Sequence, residues 1–122
     1  MSSEDKRLKS LRGGVNSLDE AILLTLSLTK NPRTKAAGEQ CLTALGQTRD
    51  EMVSELGQIK ERLGLPVCIP AVEEEKLDIL VDTAVFLGLP LTPAEIKDFF
   101  RSLFARAKSQ QEKQRAKAAC PP

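Results

Sequence analysis

Along this chain the apolar positions recur every three or four residues, and no segment alternates cleanly between apolar and polar. That period belongs to helices rather than strands. Residues 4–12 form a charged lead-in of helical composition, which Gly13-Gly14 weakens by about 1 kcal/mol per glycine relative to alanine. Ser17-Leu18-Asp19-Glu20 has the form of a capping box, so a helix is expected from there to about Lys30. It is apolar on most sides, through Leu18, Ala21, Ile22, Leu24, Leu26 and Leu28, until Asn31-Pro32 ends or bends it. A long second helix is expected from about Thr34 to Leu63. Its stripe is Cys41, Leu45, Met52, Leu56, Ile59 and Leu63, a seam pattern suited to packing helix on helix. Gly64 stops it, and Pro66 and Pro70 keep the following stretch extended. A third helix, about Val72 to Leu87, carries Leu77, Leu80, Val81, Ala84 and Leu87, has acids at 73–75 near its start and ends at Gly88. Thr92-Pro93-Ala94-Glu95 then combines an N-cap, a proline at the first helical position and a reciprocating glutamate. The last helix runs from Pro93 to about Ala116, with Ile96, Phe99/Phe100, Leu103, Ala107 and Gln111 as its stripe, and the end of the chain is expected to fray.

With 122 residues there is room for one domain. Composition then narrows the chemistry. Histidine is absent, which removes the usual general base and the commonest zinc ligand. Cys41, Cys68 and Cys120 are odd in number and widely spaced, so neither a disulfide framework nor a zinc site is expected. Lysine and arginine number 18 against 17 acids, so no global basic field exists to hold a polyphosphate. Tryptophan and tyrosine are absent and basic residues cluster only near the end, which speaks against nucleic-acid binding. The apolar patch around Ala21 to Leu28 is too short to span a bilayer. A soluble, cytoplasmic protein is expected.

The informative residues are polar ones on apolar stripes. Arg49 occupies a seam position between Leu45 and Met52. Lys60 follows eleven residues later, about three helical turns, and so projects on nearly the same side. Glu73 lies four residues before Leu77, and Gln111 continues the last helix's stripe. A buried cation needs an anion. Either Glu73 or another carboxylate pairs with Arg49 or Lys60, or Lys60 snorkels to solvent, or the missing charge comes from a ligand entering an anion pocket.

From about Leu42 to Gln111 the chain resembles the all-helical chorismate mutases. Their pattern has an Arg on the first long helix, a Lys eleven residues on, a Pro-containing loop ending in Glu, and a final helix ending in a substrate-facing Gln. Here these read Arg49, Lys60, the segment from Gly64 to Glu73, and Gln111. Leu11-Arg12 and Leu18-Asp19 resemble the family's opening, whose Arg reaches into the partner's site in dimeric members. About twenty more residues than usual separate that motif from Arg49. Either the first helix carries an insertion or residues 1–32 are an extra element. Where the family has loop Asp, Arg and Ser, this chain has Ile69, Val72 and Ala107.

The resemblance implies rearrangement of chorismate to prephenate without a cofactor or metal. Arg49, Lys60, Glu73 and Gln111 would be catalytic and Arg12 substrate-binding, the partner being a small dicarboxylate. Arg49 would grip a carboxylate, Lys60 and Gln111 would face the ether oxygen, and Glu73 would take the ring hydroxyl or, protonated, donate to the ether oxygen. Such a reaction needs only conformational restraint and placed positive charge. The expected architecture is all-α, three to four helices with one long helix, as an intertwined homodimer. Residues 1–32 form an extension or the start of the first helix, 33–116 the mutase-like domain, and 117–122 a disordered tail. The competing reading is a non-catalytic helical interaction module, whose basic last helix carries Arg106, Lys108, Lys113, Arg115 and Lys117.

Overall fold

A computed structural model of the chain describes residues 2–119. Four helices follow one another: α1 Ser3–Leu28, α2 Lys35–Arg62, α3 Pro70–Leu87 and α4 Pro93–Ala119. No strand occurs among the described residues, and the all-α expectation holds. Of the expected tail, residues 117–119 continue α4, while 120–122, with Cys120, lie outside the described residues.

The first helix is longer than the sequence pattern suggests. It starts at a capping box made by Ser2 and Asp5, not at Ser17, and continues through Gly13-Gly14. The two glycines weaken it by about 2 kcal/mol together. Burial of Leu8, Leu11 and Val15 outweighs that, since each fully buried aliphatic side chain contributes roughly 1.5–3 kcal/mol. Asn31-Pro32 falls in a tight turn, and α2 runs back antiparallel along α1. The pairs Glu4–Arg62, Arg7–Glu55 and Asp19–Arg49 mark the register. At the turn, Gly38 lets the helices approach, because a Cβ there would lie 3.2 Å from that of Leu28.

Gly64, at φ +70, turns the chain out of α2. Pro70 is the first residue of α3 and does not prolong the extended loop, as its fixed φ and missing N–H suit that position. Gly88, at φ +66, ends α3. The expected Thr92/Glu95 box is present, with reciprocal 3.1 Å bonds. Ion pairs Lys97–Asp78 and Arg101–Glu74 align α4 antiparallel to α3. Bonds from Gln111 to the Val53 carbonyl and from Arg115 to the Leu65 carbonyl align it parallel to α2.

The core has two apolar clusters. One joins Ile22, Leu23, Leu77, Leu80, Ala84, Ile96, Phe100 and Phe104; the other joins Leu8, Leu11, Leu56 and Ile59. Both draw on α1, so residues 3–28 are integral to the core. Cys41, expected on the α2 seam, is exposed instead, and Gly57 takes a buried place where α4 crosses closely. A Cβ on Gly57 would stand 2.6 Å from Cγ of the buried Gln111.

Two glycine substitutions should therefore differ in sign. Gly13→Ala, with open space around it, should raise stability by about 0.5–1 kcal/mol. Gly57→Ala gains the same helix propensity but overpacks the α2–α4 contact at ~1–3 kcal/mol, for a net loss of up to about 2.5 kcal/mol. Urea denaturation midpoints at constant slope check both signs.

Candidate active site

Between the two apolar clusters lies a polar layer. Asp19 sits on the buried stripe of α1, between Val15 and Ile22. Arg49 faces it from α2: its Nε donates to Asp19 Oδ1 at 2.7 Å and its Nη2 to Oδ2 at 3.4 Å. Both side chains are nearly inaccessible, at 5% and 2% exposure. Lys76 of α3 brings its Nζ to 3.8 Å from Asp19 Oδ2. The Phe104 ring of α4 lies beneath both cations, 5.8 Å from the Arg49 guanidinium carbon and 5.3 Å from the Lys76 ammonium. All four helices thus contribute one side chain to this layer.

A cavity of about 490 Å³ opens beside it. Arg12, Arg49, Lys60, Glu73 and Gln111, the five candidates read from the sequence, all line it. Arg12 arrives from α1 of the same chain, is exposed, and has no ion-pair partner among the described residues. Lys60 is half-buried and donates one hydrogen bond, at 3.1 Å, to the Val67 carbonyl, which ties the α2–α3 loop to α2. Two of its three N–H groups are left over. Gln111 donates from Nε2 to the Val53 carbonyl at 3.3 Å, and its Oε1 is buried without a partner. Glu73 sits in the first turn of α3. Ile69, Val72 and Ala107 also face the cavity, so these three apolar residues stand at its wall.

Sequence reasoning missed two members. Asp19 enters the sequence reading only within the Ser17–Glu20 capping box and the opening motif, whereas it lies well inside α1 and is the carboxylate that pairs with Arg49. The signal was there: an acid in the series Leu8, Leu11, Val15, Asp19, Ile22 follows the helical period. Lys76 lies between Glu73 and Leu80 on α3 and carries no such signature, because its neighbour Leu77 takes the buried position.

The electrostatics are unbalanced. Arg12, Arg49, Lys60, Lys76 and Lys108 line the cavity against Glu73 and Glu75, with Asp19 buried behind as a third acid. Lys108 is paired with Glu112, so the other four cations against three acids leave a surplus of one positive charge. Burial first, then repulsion from Arg12, Lys76 and Arg115, pushes the Lys60 ammonium below its ordinary 10.5. Burial also pushes Lys76 down, and Arg49 adds to it, while Asp19 and Glu73 oppose the shift.

A lysine lowered on folding binds its proton less tightly in the folded chain than in the unfolded one. In the window between the lowered value and 10.5 the unfolded state holds more protons, so stability rises with pH there and is flat below it. Urea midpoints should climb as pH approaches 10.5, and the climb should shrink in the double variant Lys60→Met/Lys76→Met.

The arrangement is a cavity lined by several cations and by apolar side chains, with the Cys68 thiol among them. The family model described as chorismate mutase type II matches residues 34–112, covering Arg49, Lys60, Glu73, Lys76 and Gln111. The T-protein of Enterobacter agglomerans is 28% identical over 114 residues, which are 93% of this chain and 25% of that protein. The chain therefore spans about a quarter of the length of this curated relative. No solved structure is significantly similar. With all of α2 and α3 and most of α4 inside the matched segment, the chain belongs to the chorismate mutase type II family.

Proposed function

We propose that this chain rearranges chorismate to prephenate in a pocket completed within a single polypeptide. The observation that supports it most is the meeting of Arg12, Arg49, Lys60, Glu73 and Gln111 on one cavity whose wall carries surplus positive charge. The reaction is unimolecular. One C–O bond breaks as one C–C bond forms, and no proton or electron passes to the protein. Catalysis then rests on holding a flexible dianion in its reactive shape and on placing charge at the ether oxygen.

In this reading Arg49 grips one carboxylate with the edge that Asp19 leaves open. Its Nη1 makes no hydrogen bond among the described residues and is not fully enclosed. Arg12, at the mouth, takes the second carboxylate. Lys60 offers its spare N–H groups to the ether oxygen, together with the second amide hydrogen of Gln111. Glu73 accepts the ring hydroxyl. Apolar Ile69, Val72 and Ala107 offer no polar contact, so we expect a weakened grip on the substrate.

The hairpin at Asn31-Pro32 supplies Arg12 in cis. A homodimer of this chain would therefore carry two self-contained sites instead of sharing them. The same reading carries a cytoplasmic, cofactor-free protein; no helix among the described residues is long and apolar enough to cross a membrane.

A second reading, a helical interaction module, draws on the end of α3, where Val85, Phe86 and Leu87 are exposed. On the basic α4 face two of the five expected cations, Arg106 and Lys108, are already paired with Asp50 and Glu112, which weakens the case for an acidic partner.

Loss of chorismate absorbance, followed without added metal, tests the activity. Complementation tests the single-chain site. Arg12→Ala and Arg49→Ala should each lower kcat/KM by roughly tenfold or more. Unfolding the two variants together and refolding the mixture should restore nothing. Recovered turnover would mean that Arg12 serves a partner's site, and a folded wild type without turnover would remove the activity altogether.

A further inference from the structure

The reading above leaves Lys76 without a role. We propose that Lys76 is a substrate-binding residue: Asp19 holds its ammonium beside Arg49, and the two cations together receive one carboxylate of the dicarboxylate ligand. This inference rests on the proposed function and adds a contact to it.

The argument starts from charge. Asp19 is a single carboxylate, 2% exposed, facing two cations from different helices. Arg49 takes its shorter bond and both of its oxygens, at 2.7 and 3.4 Å. Lys76 is left at 3.8 Å, an ion-pair distance beyond hydrogen-bond reach, so its three N–H groups remain available. The Phe104 ring offers both cations only its weakly negative face. Within the layer Asp19 leaves one net positive charge, which Glu73 of the cavity wall offsets only from outside it, and a partly buried cation so placed favours an arriving anion.

Position supports the same conclusion. The Lys76 side chain is 31% exposed and lines the cavity, so it can meet a ligand without unfolding anything. Val72, one turn earlier on α3, lines the same wall and brings no charge. Lys76 is then the cation that α3 contributes to the anion site. Asp19, which touches no ligand in this picture, is a positioning residue for Arg49 and Lys76.

A structural role and a binding role for Lys76 predict opposite stabilities. If Lys76 serves only to satisfy Asp19, its loss weakens the fold. If it is held for a ligand, Lys76→Met relieves repulsion with Arg49, and the free protein melts no lower than wild type. The Lys76→Met variant should raise KM for chorismate, or the dissociation constant in an equilibrium titration, roughly ten- to hundredfold with kcat less affected. Lys76→Arg should stay within a few-fold of wild type, and Val72→Arg added to Lys76→Met should recover part of the loss. Wild-type affinity in Lys76→Met, or lost affinity together with a lower melting temperature and no rescue by Val72→Arg, would overturn the inference while leaving the activity standing. Failure of the wild type itself to bind chorismate would instead overturn the proposed function on which the inference rests.

Discussion

The buried Asp19–Arg49 pair organises this molecule. It spans the α1–α2 hairpin at the level where the core changes from one apolar cluster to the other. Nothing in hydrophobic packing alone calls for a charged layer there. Burying two ions is unfavourable, and their attraction offsets that only with good geometry. The fork at 2.7 and 3.4 Å provides it. The pair also orients Arg49 from behind, leaving its other edge toward the cavity. A cation fixed in this way needs little reorganisation when an anion arrives, which is what electrostatic preorganisation requires.

The hairpin and the site are consequences of one chain reversal. Asn31-Pro32 ends α1, Gly38 permits close approach, and α2 returns along α1 so that Arg12 stands at the cavity holding Arg49 and Lys60. On the opposite side, Gly57 allows α4 to bring Gln111 against α2. Backbone economy at two glycines and a proline thus decides which side chains meet. The loop after α2 is tied by Lys60 to Val67 and by Arg115 to Leu65, so the segment carrying Cys68 and Ile69 is anchored from both α2 and α4.

Much of this was legible in the sequence, and the failures are instructive. The all-α architecture followed from three-four spacing, the ends of α2 and α3 were marked by Gly64 and Gly88, and the start of α4 by the Thr92/Glu95 box. Arg49, Lys60 and Gln111 stood out because polar groups on apolar stripes need a reason. The start of α1 was misplaced because local propensity at Gly13-Gly14 was weighed without the tertiary burial of Leu8, Leu11 and Val15 that overrides it. The pairing of Asp19 with Arg49 is hidden for a related reason: the apparent capping box at Ser17–Glu20 overlaps a buried stripe position, and only packing separates them. Lys76 carries no sequence mark, since its place in the polar layer depends on four helices converging.

The surplus charge in the cavity wall makes one direct demand. If it is held for a dicarboxylate, the free protein is less stable than the occupied one, and stability follows ligand concentration by mass action. The melting temperature of the wild-type chain should rise steadily with added chorismate and should rise far less with an analogue bearing a single carboxylate. An unchanged melting temperature at saturating chorismate, in a sample whose helical content is intact, would contradict the assignment of this cavity as a dianion site.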